Sequence, residues 1–398
     1  MAINASVLKA ARRHGAGLGT GIEKARMPLA EATHLPSQIY TSEEIFELEK
    51  EKIFKKDWLA VARVEEIEKP GDYMTFDIVG EPIIVARNTD GEINAFYNVC
   101  VHRGTEVAAG NGNLKTFSCP YHAWTYDLSG QLVGAAYMDD VKGFDLDECR
   151  LKPILSGVWQ GWVFVNFDAG AEPLENFVAE YGAEFGHYQQ EKFRLNRRLE
   201  TTLDCNWKLV HENFVDIYHF LTLHADTLSN WQGPEDYDYR THRHGGYATF
   251  YENETSWIKP FQELGLAPWL EGWPAGMNPA LAGCSGFMTP NFTIFGRAFG
   301  IVQVVVWPIS PSKTQMYTYC TVPDIYFEQP DIVERVRPIE DLMEMIIDED
   351  RPMIESLQRN MSKEAFRPGR MSSGEMLVHH YISCYLDRMG DDLSERQD

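Results

Sequence analysis

The stretch Cys100–Trp124, CVHRGTEVAAGNGNLKTFSCPYHAW, opens with C-x-H and closes with C-x-x-H. Two thiols and two imidazoles sit in two tight pairs, joined by a loop rich in Gly and Asn. Zinc accepts a Cys₂His₂ set, so a structural zinc site is one reading. Zinc modules, however, usually pair Cys with Cys and set both His on one helix, whereas each pair here is mixed. A [2Fe–2S] cluster whose two irons are held by two thiolates and two imidazoles asks for one Cys and one His from each of two loops. Neutral imidazole in place of thiolate removes negative charge and raises the reduction potential. Gly104, Gly110 and Gly112 would let backbone approach such a cluster, and Pro120, Tyr121 and Trp124 would stiffen and shield it.

Working outward, the pairs lie among short β-rich runs: WLAVARV, YMTFDIV, PIIVAR and INAFYNV before them, WTYDLSGQLVG and GVWQGWVFVNF after. Pro-Gly, Gly-Glu-Pro and Asp-Gly signals separate the earlier runs. An all-β module is expected over residues 58–167, with both Cys/His pairs on its loops. Ahead of it, residues 1–57 read as a basic, Gly-rich arm and a charged helix, IFELEKEKIF, started by a Thr41/Glu44 capping box. Asp168–Pro173 is a small-residue linker. Residues 168–398 alternate helical and strand-like runs and close with a long helix from about Asp331 to Met361. The expected class is α+β: a small β-module and a larger domain with an antiparallel sheet covered by helices.

The 398 residues, 44% apolar, suffice for two or three domains. A net charge of -23 repels phosphate backbones and anionic lipid, so neither nucleic acid nor a membrane surface is an expected partner. Seven cysteines form no disulfide framework, which points to a reducing cytoplasm. Cys149, Cys205, Cys284, Cys320 and Cys384 read as buried free thiols. No apolar run reaches membrane-span length and no secretory signal is visible.

A second constellation lies in NWKLVHENFVDIYHFLTLH, residues 206–224, which reads as one helix carrying Glu212, Asn213, Asp216, His219 and His224. Two His and one carboxylate with open positions make the facial triad of non-haem Fe(II) oxygenases. On a regular helix, five residues turn the chain by about 500°, leaving His219 and His224 roughly 140° apart. A distorted turn near Thr222 is therefore expected. Asp216 and His219, three apart, share a face, so the carboxylate can accept a hydrogen bond from the imidazole. The competing reading is an ordinary polar face on a half-exposed helix.

C-V-H-R-G with C-P-Y-H-A-W resembles the Rieske signature of the ring-hydroxylating oxygenase alpha subunits. N-W-K…E-N-F…D-x-x-H-x-x-x-x-H is similar to the iron-binding segment of the same family. The resemblance implies a Rieske [2Fe–2S] cluster on Cys100, His102, Cys119 and His122, and a mononuclear Fe(II) on His219 and His224. Asn213 would lie near that iron. The family's third ligand is a distant acid; IIDEDRPMIESLQRN offers Asp348, Glu349 and Asp350. Asp350 aligns with the ligating position and Glu349 is the alternative, with Pro352 departing from the family's helix. His211 reads as structural, and His242, His244, His379 and His380 as surface or packing residues.

The family's arrangement further implies a homotrimer, with room for a beta subunit, in which Asp216 links His219 to a neighbour's cluster histidine, His122 ahead of His102. Electrons would come from NAD(P)H through a separate reductase, with or without a ferredoxin; the chain has no nucleotide fingerprint of its own. Arg103 and Lys115, beside the cluster, would offer a basic patch to the donor. The family's majority use implies hydroxylation of an aromatic substrate, an aromatic acid first. The alternative is a monooxygenase that demethylates a quaternary ammonium compound or cleaves its C–N bond. Phe250, Trp257, Trp269, Trp273, Met277, Phe287 and Phe292 are the expected pocket aromatics and their Met, suited to a flat ring or to a cation. An electron carrier without oxygenase activity, and a zinc-stapled binding protein, are the readings from other classes.

Overall fold

The computed structural model describes residues 18–185, 189–225, 227, 237–250, 283–297 and 300–393. The chain divides into two compact units, Phe54–Gly182 and Met1–Ile53 with Ala183–Asp398. The fold is α+β: a small β-domain and a larger domain in which helices cover an antiparallel sheet.

In the small unit, β1 (Leu59–Arg63), β2 (Asp72–Ile78), β3 (Glu81–Arg87), β4 (Ile93–Tyr97) and β5 (Asn111–Asn113) join β9 (Pro153–Trp159) and β10 (Trp162–Asn166) in the order β1-β10-β9-β4-β3-β2-β5. A second, three-stranded sheet is made by β6 (Phe117–Ser118), β7 (Thr125–Tyr126) and β8 (Leu132–Gly134). Alternation sends Phe96, Phe117, Trp124 and Tyr126 into one core, which also takes up Cys100 and Cys119. One loop of the Cys/His stretch leaves β4; the other connects β6 to β7.

In the large unit β11 (Phe193–Leu203), β12 (Tyr237–His242), β13 (Gly245–Phe250), β14 (Gly283–Met288), β15 (Phe292–Arg297), β16 (Gly300–Ser310) and β17 (Lys313–Pro323) form one antiparallel sheet, ordered β11-β17-β16-β15-β14-β13-β12. Four helices matter to the site: α1 (Glu43–Glu49), α2 (Trp207–Val215), α3 (Ile332–Met361) and α4 (Met376–Met389). The capping expectation is corrected by one residue. Ser42 accepts the Ile45 N–H at 3.3 Å and caps α1, while Thr41 closes the preceding turn of helix.

α2 is anchored at its start. The Asn206 side chain accepts the Lys208 N–H at 3.0 Å, and its amide donates to the carbonyls of Tyr40 at 3.2 Å and Pro311 at 2.7 Å. Beside it lies a buried ion pair. Lys208 Nζ donates to Glu49 Oε1 at 2.5 Å, and the same carboxylate accepts from Trp207 Nε1 and the Tyr385 hydroxyl, each at 2.8 Å. The Lys208 ammonium also lies 5.1 Å from the ring centres of Trp207 and Tyr385 and 5.5 Å from that of Tyr40. α1, α2 and α4 are thereby tied together at the charged residue of N-W-K.

The helical stretch expected over 206–224, with its distortion near Thr222, breaks earlier as well. α2 stops at Val215, and a 3₁₀ turn, Tyr218–Leu221, follows. Asp216 takes extended backbone, and its Oδ1 accepts the Tyr218 N–H at 2.7 Å. This local bond competes with helix continuation. The break therefore precedes His219 as well as separating it from His224. α3, by contrast, runs through both Pro338 and Pro352, in a register that sets Asp350 inward with 5% exposure.

Candidate metal centres

The two Cys/His loops close in the same way. Cys100 N–H donates to Thr105 O at 2.9 Å and accepts at its own carbonyl from Gly104 N at 2.8 Å; Cys119 N–H donates to Trp124 O at 2.8 Å and accepts from Ala123 N at 2.9 Å. Each loop needs a left-handed residue four past its cysteine: Gly104 at φ +84° and Ala123 at φ +57°. Glycine at 104 serves that backbone angle rather than close packing, since no protein atom lies within 4 Å of where its Cβ would sit. Both thiols are buried, at 3% exposure, while both imidazoles are exposed. The His102 and His122 rings lie 4.7 Å apart, and His102 stacks on Trp124 at 4.7 Å and 7°. Desolvation, with His102 and Arg103 beside it, holds His122 below the usual imidazole range, which favours the neutral, ligating form. Paired thiols inside and paired imidazoles at the rim fit a two-iron cluster, whose four ligands need not converge on one point.

Tyr126 is a residue that the sequence reading did not single out. Its hydroxyl accepts the Val101 N–H at 3.1 Å and lies 3.2 Å from Cys100 Sγ, so its proton is free to serve the sulfur. The signal was its place two residues past Trp124, where a strand turns the same way inward.

In the large unit three atoms converge. His219 Nε2 lies 3.2 Å from His224 Nε2 and 3.5 Å from Asp350 Oδ1, and His224 Nε2 lies 3.1 Å from the same oxygen. Each imidazole spends its other nitrogen on a carboxylate: His219 Nδ1 on Asp216 Oδ2 at 2.9 Å, His224 Nδ1 on Glu349 Oε2 at 2.7 Å. A carboxylate only accepts, so Nδ1 carries the hydrogen and Nε2 is a bare lone pair in the neutral ring. Three lone pairs this close repel unless a cation sits among them. Ligand bonds of about 2.0–2.2 Å at roughly right-angled to tetrahedral geometry separate ligand atoms by about 2.8–3.6 Å, so the set fits one metal ion. Among the described residues this is the one such cluster of His, Cys and acids.

The electrostatics agree. Burial works against charge on His219, but hydrogen bonds to Asp216 and Asp350 outweigh it and lift the imidazole to about 9. His224 is raised in the same way, with Asp350 and Glu349 outweighing burial. Burial pushes Asp350 up, yet the two imidazoles hold it below the usual carboxylate range. The pocket prefers positive charge.

Asp350, not Glu349, brings its oxygen to the two Nε2 atoms; Glu349 stands behind His224 and also accepts from Thr227 Oγ1 at 2.7 Å. Asn213 lies on the wall of a neighbouring cavity with Asp216 and is not among the converging atoms. His211 is buried, bonded through Nδ1 to Thr293 Oγ1 at 3.0 Å, and desolvation pushes it down to about 3. His380 Nε2 meets the carbonyls of His242 and Gly245, each at 2.9 Å. Of the expected pocket residues, Phe287 and Phe292 are core side chains, at 1% exposure each. Trp257, Trp269, Trp273, Met277 and the Phe250 side chain lie outside the described residues.

A small β-domain with a Cys₂His₂ cluster cradle and a larger domain with a two-histidine, one-carboxylate triad together define a Rieske-type oxygenase. Residues 57–145 match the Rieske [2Fe-2S] domain, and residues 178–391 match the ring hydroxylating alpha subunit (catalytic domain). The chain belongs to the ring-hydroxylating oxygenase alpha-subunit family and is an oxidoreductase that uses O₂. It is 31% identical to the carnitine monooxygenase oxygenase subunit of Acinetobacter pittii, over 83% of this chain and 86% of that one. It is 30% identical to the chloroplastic choline monooxygenase of Arabidopsis thaliana, over 91% and 84%. The crystal structure of the apo form of a quaternary ammonium Rieske monooxygenase, CntA, superposes with a TM-score of 0.74 at 25% identity, covering 92% of this chain and 97% of that one.

These relatives correct the expectation of an aromatic acid substrate: the two proteins are named as monooxygenases of carnitine and of choline, and the crystal structure as a quaternary ammonium monooxygenase. The catalytic-domain match and the triad also set aside the pure electron carrier, and the Rieske match sets aside the zinc-stapled binding protein.

Proposed function

We propose that this chain is the terminal oxygenase of a multicomponent system that monooxygenates a small quaternary ammonium compound of the carnitine, choline or betaine type. The observation that carries this reading is identity near 30% to such enzymes along more than four fifths of the chain. The net charge of -23 supports it, because an acidic surface draws in a permanent cation.

His219, His224 and Asp350 would hold Fe(II), and Cys100, His102, Cys119 and His122 the [2Fe–2S] cluster; bound, they would bind O₂ and deliver electrons to it. The chain's own residues prepare those sites. Asp216 and Glu349 fix the tautomers of the two histidines and aim both Nε2 atoms inward. His224, at 1% exposure, and Asp350 keep the inner side of the site dry. Asp216, whose Oδ1 ends α2 while Oδ2 holds His219, is the carboxylate that would meet a cluster histidine of a neighbouring subunit in a trimer. Electrons would enter from NAD(P)H through a separate reductase, in the cytoplasm. One oxygen atom would enter the substrate and the other leave as water, using two electrons and two protons.

The test is O₂ uptake and product analysis with a surrogate reductase, using carnitine, choline and glycine betaine against benzoate and salicylate. Coupled turnover of a quaternary ammonium compound is expected; turnover of an aromatic acid alone would reject the reading. Asp216→Asn should keep both metals yet nearly abolish coupled turnover, beyond the roughly 10–100-fold that losing a supporting carboxylate costs. Iron analysis beside O₂ uptake checks this, and full activity would remove Asp216 from the route.

A further inference from the structure

A second polar constellation lies in the catalytic unit, outside the triad. Leu209, Glu212, Asn213 and Asp216 share one face of α2 and its C-terminal turn, and they line a cavity of about 310 Å³ with His34 and Glu375. Glu212 is 9% exposed, and its Oε1 accepts the Tyr40 hydroxyl at 2.7 Å. Among the described residues that is the one hydrogen bond to the carboxyl group, which leaves Oε2 to the cavity. His34 is brought there by its backbone N–H, held by Gly369 O at 3.0 Å, and its Nε2 lies 3.0 Å from Glu375 Oε1. Its Nδ1 is then the nitrogen able to take up a proton. At about 30 Å³ per water, the cavity has room for several between the two groups.

The charges around Glu212 come from several elements. Burial pushes it up to about 7; Tyr40, His34 and Lys208 oppose the rise, and Glu375 adds to it. Tyr381 on α4 is a further polar neighbour, whereas α3 contributes only Ile354, Leu357 and Met361. Burial lowers His34, but Glu375, Glu212 and Asp216 outweigh it and raise the imidazole.

We propose that Glu212 is a proton-exchange residue, which holds one proton beside Asp216 and trades it with His34 through the cavity. The O–H bond of the Glu212 carboxyl breaks and an N–H bond forms at His34 Nδ1, with cavity water passing the proton on. A carboxylate and an imidazolium result, and no electron moves. The role rests on the reading of Asp216 as the link between metal centres: a proton kept on Glu212 offsets negative charge arriving at that link.

Infrared difference spectra of the purified holoenzyme, titrated across the neutral range, test the proposal. A protonated-carboxyl band should fade as pH rises through neutrality and should be absent in Glu212→Gln. Tyr40→Phe removes a bond that stabilises the carboxylate, so its midpoint should move to higher pH; His34→Gln should move it the same way. In stability, an acid raised from 4.5 to about 7 stabilises the fold below the lower value and loses that contribution as pH rises through the upper one, so Glu212→Gln should flatten this decline. No band in the wild type, a band that persists in Glu212→Gln, or an unmoved midpoint in Tyr40→Phe overturns the proposal. None of these readouts uses substrate turnover. An inactive quaternary ammonium panel or an active Asp216→Asn with the band intact would count against the function and the link, not against Glu212 as the proton holder.

Discussion

Asp216, Glu349 and Tyr126 show how much of each centre is made by residues that need not touch metal. Asp350 and Glu349 are neighbours in sequence, but one faces both Nε2 atoms and the other backs His224. Asp350→Ala should therefore lose the mononuclear iron and keep the cluster, whereas Glu349→Gln should weaken iron binding by roughly 10–100-fold. Metal analysis with visible spectra separates the two. Tyr126→Phe removes the hydroxyl beside Cys100 Sγ, a donor that favours the reduced, more negative cluster, so the reduction potential should fall. Voltammetry on the isolated protein reads the shift; an unchanged potential would assign the hydroxyl to Val101 alone. Both Cys/His pairs and both imidazoles of the triad were legible because metal chemistry fixes residue type at short spacing. Tyr126 was not, since a tyrosine in a strand is ordinary core.

Element boundaries were less legible. The α3 limits were plain from periodicity, with Asp331 at its start and Met361 at its end, and two prolines did not interrupt them. The end of α2 was hidden, because VDIYHF continues an apolar rhythm while the Asp216 side chain captures the Tyr218 N–H and turns the chain. That early end lets His219 and His224 face each other across a turn, which a continuous helix forbids. The start of α2 is equally specific. Asn206→Ala should lose the cap and leave the Tyr40 and Pro311 carbonyls short of a donor, at a cost of about 2–4 kcal/mol. Thermal unfolding checks this, and a loss confined to a few tenths would mean that Gln358, which accepts the Asn206 N–H at 2.9 Å, holds the helix start alone.

At the scale of the whole molecule, the pattern of strand-like and helical runs spoke correctly of the fold class, while the majority use of the resembled family misled about the substrate. Aromatic residues between Gly246 and Trp307 suited a flat ring and a cation alike, so they did not decide the substrate, and Phe287 and Phe292 are core. No helix among the described residues is long and apolar enough to cross a membrane. On so acidic a chain, exposed Arg103, next to His102 in sequence and 5.3 Å from the Tyr121 ring centre, and exposed Lys115, in the stretch between the two Cys/His pairs, stand out. Reversing both charges should raise the KM for an acidic electron donor and flatten its dependence on salt. Steady-state kinetics over a salt series checks this; unchanged values would place donor docking elsewhere.

The Lys208 ammonium has a further consequence for selectivity. Tyr40, Trp207 and Tyr385 surround it as rings surround a free alkylammonium ion, so the catalytic unit contains a cation receptor already filled by its own side chain. That receptor is closed to the proposed substrate by valence as well as by occupancy. Glu49 accepts an N–H bond from the Lys208 ammonium, and a tetra-alkylated nitrogen has none to give. The buried cation of this chain and the proposed cationic substrate would therefore not compete for one seat.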